Sequence, residues 1–501
     1  MADLMTAPAL TCAGDATLAE ASRRMRGADV GSVVVTELGK VVGILTERDL
    51  LRAAAAGARP EDEQVARWMT THPDVLCPDE AADAAWASLT SHRYRHLPVV
   101  DDGTLVGVVS LRDLTGIARI RPVDETRADV PAGLEGVVVA ETAVGDVRGH
   151  EGFFHYRQYS ATELAEHRSF EDVVHLVLHG ELPGSAEAAA FGADLRRRRA
   201  LPPGVAALLP EVAGRGTLLD VLRTAVSVLG AELGWRPTLD LTADELADEE
   251  LDLCAVVPTV VAAAHRLRSG EAPLEPRDDL GHAADYLYLL TGEVPSAEHA
   301  RAVEQYLALT VDHGFNASTF TARVVTSTGA DLAAAVTAAI GALSGPLHGG
   351  APSRALDLLD AIGTPERAEP FLREAVGRGE RLMGFGHRVY KTDDPRSLLL
   401  RRVAGELGGP LVELARSVEE TAVYVLAELK PGRRLYTNVE FYAGVVMHSC
   451  GIPRELFTPT FAVGRTVGWC AHVLEQAAHN RLIRPSARYV GPPPPQPVPT
   501  A

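Results

Sequence analysis

Ser169-Phe170-Glu171-Asp172-Val173-Val174-His175-Leu176-Val177-Leu178-His179-Gly180-Glu181-Leu182-Pro183 places Phe170, Val173, Val174, Val177 and Leu178 at the spacing i, i+3, i+4, i+7, i+8. That is the pattern of a helix with one buried stripe. Ser169 with Asp172 three residues on resembles a capping box at its start, and Gly180 followed by Pro183 supplies the stop. Similar helical stretches run to about Ala478 with no comparable series of alternating strands, so a module over residues 133–490 is expected to be almost all α. Before it, Thr115 to Ala132 mixes Arg, Asp, Pro and Gly without period and reads as a linker, set at residues 119–132. After it, the proline-rich residues 491–501 are expected to be disordered.

Residues 1–118 contain an internal repeat. Met5-Thr6 recurs as Met69-Thr70, Gly39 as Gly103, Gly43 as Gly107, and Arg48-Asp49-Leu50 as Arg112-Asp113-Leu114, all at one offset. In each copy a β-branched run, Ser32-Val33-Val34-Val35 or Leu97-Pro98-Val99-Val100, leads through a turn at Gly39 or Asp102-Gly103 into a second apolar run. Each copy is therefore a strand pair followed by a helix. One such unit is marginal alone, and two packed face to face make a stable domain.

The chain has 501 residues, 46% hydrophobic and 23% charged, the balance of a soluble protein with sizeable cores in more than one module. A net charge of −19 argues against nucleic acid or anionic membrane as a partner, while local arginines can still draw in small anions. Five scattered cysteines, Cys12, Cys77, Cys254, Cys450 and Cys470, lack metal-ligand spacing and fit reduced thiols. No metal site is expected. Asp3 close behind Met1 and the absence of a long apolar run point to a cytoplasmic protein without a signal peptide or membrane span.

Three segments concentrate glycine, histidine, aromatic and charged residues beyond what packing requires: Ser344-Gly345-Pro346-Leu347-His348-Gly349-Gly350, Met383-Gly384-Phe385-Gly386-His387-Arg388-Val389-Tyr390 and Tyr436-Thr437-Asn438-Val439-Glu440-Phe441-Tyr442. Glycines beside a histidine let backbone approach a ligand and present ring and amide donors together. With Asp312-His313-Gly314-Phe315-Asn316-Ala317-Ser318 and Phe461-Ala462-Val463-Gly464-Arg465-Thr466, in this order, the second module resembles the citrate synthase family. The resemblance implies an all-α fold of large and small domains and a homodimer or larger homo-oligomer. It also implies condensation of acetyl-CoA, a co-substrate, with oxaloacetate to citrate, as in the tricarboxylic acid cycle.

A thioester methyl group is a weak acid, so such an enzyme needs a carboxylate base together with donors that stabilise the enol. By resemblance Glu440 takes the base position, His348 the enol-stabilising position, and His387 polarises and protonates the oxaloacetate carbonyl. Two carboxylates call for permanently charged forks, and Arg396, Arg465 and Arg484 match those positions, Arg484 reaching in from the partner subunit. His313 and Asn316 match further substrate-binding positions. Gly384, Phe385, Gly386 and Lys391 lie where the family holds CoA. The family usually has aspartate where Glu440 stands, and glycine where Gln158 stands in Tyr156-Arg157-Gln158-Tyr159. Polar Asn and Glu are usual where Pro352-Ser353 follow the first segment. The family includes 2-methylcitrate synthases, which take propionyl-CoA. Because of Glu440, an acyl-CoA or nucleotide sensor with impaired turnover is the alternative outside catalysis.

The N-terminal repeats resemble a tandem pair of CBS domains. The fold class is therefore multidomain, an α/β CBS pair followed by an all-α citrate synthase fold. The resemblance puts phosphate-facing hydroxyls at Thr46 and Ser110 and ribose-binding carboxylates at Asp49 and Asp113, implying an adenine-nucleotide effector.

Overall fold

A computed structural model describes the chain except residues 1–4, 29, 38, 79–95, 102, 111–131, 135, 349–350, 381, 388, 391, 431–434, 497 and 499–501; for 351–353 it describes backbone alone. Residues 1–137 with 486–501 form one unit and 138–485 the other. The linker at 119–132 lies almost wholly outside the described residues.

In the first unit, β1 (Thr11–Cys12), β2 (Ser32–Glu37), β3 (Lys40–Thr46) and β4 (Thr70–Thr71) form one sheet in that order, and β5 (His96–Asp101) pairs with β6 (Thr104–Ser110). The repeat persists in the hydrogen-bond register. Ser32 pairs with Thr46 and His96 with Ser110, and both hairpins shift register at the same place, between Val35 and Thr36 and between Val99 and Val100. Gly39 and Gly103, both at φ 80°, make the turns. The copies also exchange their leading segments: Thr70 pairs with Ile44 of the first copy, and Thr6 with Val108 of the second. A Cβ on Gly43 would collide with Met69 Sδ, and one on Gly107 with Met5 Sδ, so each repeated methionine covers a glycine of the other copy. Leu18, Met25, Val33, Val35, Leu45 and Val65 form the core beneath the sheet.

The second unit opens with a small antiparallel sheet, β7 (Gly145–Arg148), β8 (Phe153–Tyr156) and β9 (Tyr159–Ser160), and is helical thereafter. The helix with the single apolar stripe spans Phe170–His179. Ser169 Oγ accepts from Asp172 N at 3.1 Å, and Gly180, at φ 93°, donates its N–H to Leu176 O at 2.8 Å. All five stripe residues are buried, each stabilising the fold by about 1.5–3 kcal/mol. At the centre the helices Ala243–Arg268 and Phe457–Ala478 pack on each other, and the latter also lies against Ala297–Thr310 and Ala317–Thr326. Gly464 and Gly468 permit that approach, since a Cβ on Gly464 would stand 2.6 Å from Thr310 Oγ1 and 2.9 Å from Leu307 O. This close packing seats Arg465 in the interior. Among the described residues no helix is long and apolar enough to cross a membrane.

Candidate active site

Two of the singled-out segments are joined through their backbones. Gly386 N donates to Tyr436 O at 2.8 Å, Asn438 N to Gly384 O at 2.9 Å, and Asn438 Nδ2 to Gly386 O at 3.0 Å. Gly384 and Gly386 take φ 86° and 81°, a left-handed conformation costly for other residues, and a Cβ on Gly384 would stand 2.9 Å from the Phe441 ring. Asn438 caps the helix Val439–Ser449, its Oδ1 accepting from Glu440 N at 3.1 Å. The glycine–histidine loop and the helix that begins beside Glu440 are thus held in one place.

His387 Nδ1 accepts from Val389 N at 3.1 Å and Tyr390 N at 3.0 Å. A neutral ring that accepts at Nδ1 carries its proton on Nε2. That nitrogen stands 3.4 Å from Arg396 Nη2, a contact longer and weaker than the two at Nδ1, so an incoming oxygen can take a hydrogen bond from each group in its place. Arg396 is buried and paired with Asp394, its Nε donating to Oδ1 at 3.0 Å and its Nη2 to Oδ2 at 2.8 Å. His313 Nε2 lies 3.0 Å from Tyr390 Oη, and the His313 and His387 rings are 5.6 Å apart. Burial, with Arg396, Arg465 and His387 adding to it, holds His313 well below the ordinary histidine range.

On the other side, His348 Nε2 lies 2.9 Å from Ser318 Oγ and 3.4 Å from Ser318 N. A backbone N–H can only donate, so Nε2 is the acceptor and Nδ1 bears the proton. Ser318 Oγ in turn accepts from Trp469 Nε1 at 3.1 Å, and Ser318 and Trp469 are fully buried. Burial, helped by Arg465, pushes His348 down to about 4, so the ring is neutral near pH 7 and its Nδ1–H can donate. Asn316 caps the helix Ala317–Thr326. Its Oδ1 accepts from Ser318 N at 3.1 Å and Thr319 N at 3.1 Å and lies 2.8 Å from Ser318 Oγ, competing with His348 Nε2 for the one hydroxyl proton, and its Nδ2 turns to Gly314 O at 3.3 Å. Asn316 is therefore engaged as a support beneath His348. Arg465, 2% exposed, donates from Nε to Thr310 O at 2.8 Å and lies over Phe461 at 4.6 Å. Burial works against its charge and Asp312 only partly offsets this. A buried cation so held is an anion site in waiting.

Glu440 is half-buried, and among the described residues no hydrogen bond or ion pair engages its carboxylate. Burial pushes it up to about 7, with Arg396 pulling down and Asp394 pushing further up. A carboxyl titrating at neutral pH is matched to general-base work.

His313, His348, His387, Arg396, Arg465 and Glu440 are thus brought into one electrostatically linked group, with Gly384, Phe385 and Gly386 at its edge. Arg484 is exposed in the segment after Ala478 and does not join them within the chain. Lys391 lies outside the described residues, as does Asp113. In the first unit Asp49 Oδ2 accepts from Thr46 N at 2.9 Å and Thr46 Oγ1 at 2.7 Å, a capping box for the helix Glu47–Ala55, and Ser110 ends β6. Sequence motifs alone assign no role to Ser318, Asp394 or Tyr390. Asp394-Pro395-Arg396 was a legible cap signal, with proline at the first helical position, whereas nothing local announces that Ser318 meets a histidine thirty residues on. Among the described residues no cluster of His, Cys, Asp and Glu is placed to hold a metal ion.

The family model "Citrate synthase, C-terminal domain" matches residues 133–486, and "CBS domain" matches 1–56 and 64–119. Citrate synthase 2 of Bacillus subtilis is 40% identical over 366 residues, covering 72% of this chain and 95% of that protein. A 2-methylcitrate synthase of Mycobacterium tuberculosis is 40% identical over 370 residues, covering 74% and 93%. The ternary complex of carboxymethyl coenzyme A and oxaloacetate with citrate synthase from Thermoplasma acidophilum superposes with a TM-score of 0.68 at 29% identity, over 74% of this chain and 99% of that one. A condensing enzyme of acyltransferase type with two CBS domains at its N-terminus, the chain belongs to the citrate synthase family.

Proposed function

We propose that the chain condenses acetyl-CoA with oxaloacetate to give citrate and CoA. The observation that carries this reading is one buried arginine-linked group that holds both a carboxyl pushed up to about 7, Glu440 beside Arg396, and a neutral histidine, His348 beside Arg465, with its proton on Nδ1. Glu440 takes a proton from the thioester methyl group while His348 Nδ1–H donates to the thioester oxygen as the enol forms. Arg396 and Arg465 hold the oxaloacetate carboxylates, with Arg484 of a second copy completing the clamp in a homodimer. His313 joins them. His387 donates from Nε2 to the oxaloacetate carbonyl as the carbon–carbon bond forms, and water then hydrolyses the citryl-CoA thioester. Gly384, Phe385 and Gly386, with Lys391, form the CoA side. An adenine nucleotide bound near Thr46, Asp49, Ser110 and Asp113 tunes the rate, and the protein works in the cytoplasm.

Propionyl-CoA is the rival acyl donor, because the relative named 2-methylcitrate synthase is as similar in sequence as the citrate synthase. Thiol release on adding oxaloacetate, with acetyl-CoA and propionyl-CoA in parallel, decides between them: a higher kcat/KM for acetyl-CoA is expected, and a preference for propionyl-CoA overturns it. Saturating ATP, ADP and AMP added to the same assay should change rate or substrate affinity, and no change with any of them refutes the regulatory role. Oxaloacetate binding with no turnover would favour the sensor reading.

A further inference from the structure

Asp394 is 1% exposed and caps the helix Pro395–Leu407. A carboxylate offers about four lone-pair sites, and all are used here. Oδ1 accepts from Arg396 N and Arg396 Nε, each at 3.0 Å, and Oδ2 accepts from Arg396 Nη2 at 2.8 Å and from Val439 N at 3.0 Å. Val439 is the first residue of the helix carrying Glu440. One buried side chain therefore grips the edge of the Arg396 guanidinium and the start of the Glu440 helix, two segments distant in sequence. A helix cap needs only one of these bonds. With Nε and Nη2 held, the guanidinium cannot rotate, and its Nη2 is fixed 3.4 Å from His387 Nε2.

We propose that Asp394 is a positioning residue of the condensation, its carboxylate setting Arg396 and the first turn of the Glu440 helix in one register. The inference rests on the roles given to Arg396 and Glu440 above. Its charge acts as well as its shape. The charged groups that bear on Glu440 are Arg396 and Asp394 itself at the start of the helix Pro395–Leu407, while from the helix Ala297–Thr310 it faces the buried phenol of Tyr306, which stays neutral. Removing the Asp394 charge leaves Arg396 uncompensated, which favours ionised Glu440.

The test uses the full chain, thiol release across pH, and the variants D394N, D394E and E440Q. Asn preserves the cap and the size of the side chain but not the charge or all four bonds. D394N is expected to raise the oxaloacetate KM and to lower kcat by on the order of a hundredfold, the effect of a small misplacement, with the acyl-CoA KM unchanged. Its acid limb should move to lower pH. D394E, which keeps the charge but displaces it, should raise the oxaloacetate KM with the acid limb where the wild type has it, and stands alone if D394N does not fold. Wild-type oxaloacetate KM and pH profile in a folded D394N, or a wild-type KM in D394E, overturn the proposal. So does a loss spread equally over both substrates with no change in pH profile, which marks a merely structural residue. E440Q separates the two levels: if it retains turnover, the assignment of the base fails whatever Asp394 does.

Discussion

Replacing Ser318 by alanine removes a hydroxyl that lies 2.9 Å from His348 Nε2, 3.1 Å from Trp469 Nε1 and 2.8 Å from Asn316 Oδ1. The site is fully buried, so water does not replace it, and Trp469 Nε1–H is left without an acceptor. Leaving one buried donor unsatisfied costs about 1–3 kcal/mol of stability. The effect on rate has another source. His348 donates from Nδ1 only while Nε2 is an acceptor, and the hydroxyl, with its one proton turned to Nε2 and away from Asn316 Oδ1, is the nearer of its two donors. Its loss leaves the backbone N–H of Ser318, at 3.4 Å, to fix the tautomer and the ring. Loss of one hydrogen bond worth about 1.5 kcal/mol corresponds to roughly tenfold in kcat. Steady-state thiol release measures kcat, and calorimetry measures oxaloacetate affinity, which is expected to be unchanged because Arg396, Arg465 and His387 keep their partners. A folded S318A with wild-type kcat refutes the tautomer argument. A variant that loses oxaloacetate affinity instead would show that Ser318 serves the anion site.

Four further outcomes are expected. The kcat/KM profile should fall about tenfold per pH unit below about 7 as Glu440 takes up a proton; an ordinary glutamate, near about 4.3, would leave the rate flat to well below pH 6. R465L removes a buried cation, so oxaloacetate KM should rise by about 10–150-fold, the worth of a charged hydrogen bond of about 1.5–3 kcal/mol, while the melting temperature holds or rises because the desolvation cost goes with the charge. G384A forces a left-handed φ on a residue with a side chain and drives its Cβ against Phe441, lowering stability by about 1–3 kcal/mol and activity with it, read by thermal melting and thiol release. His282 is held well below the ordinary histidine value by burial and by Arg199, so the unfolded chain binds its proton first. Its share of stability is present above about pH 6.5 and is lost as pH falls, at up to about 1.4 kcal/mol per unit. The gap in unfolding free energy between wild type and H282Q, measured by urea titration at pH 7.5 and 5.5, should shrink accordingly.

The elements most legible in the sequence are those set by local pattern. The Phe170–His179 helix follows from its spacing, its serine cap and its glycine stop, and the hairpins from β-branched runs around Gly39 and Gly103. The repeat showed that Met5 and Met69 correspond, but not that each covers the other copy's glycine, because strand exchange is a tertiary event. At the site, the histidines and arginines stand out as candidates because their motifs are distinctive. Their supports do not, since Ser318 and Asp394 act through contacts made only when distant segments close on each other. Asn316, a candidate substrate contact by resemblance, also spends its carbonyl on the start of a helix, as asparagine next to a helical run commonly does.

The most direct test of the central claim is thiol release from acetyl-CoA on adding oxaloacetate, with the wild-type chain and E440Q side by side. Turnover to citrate by the wild type is expected, with a loss on the order of 10²–10⁴-fold in E440Q, the contribution of a general base, and oxaloacetate still bound. No release by a wild type that binds oxaloacetate, or near-normal release by E440Q, would contradict it.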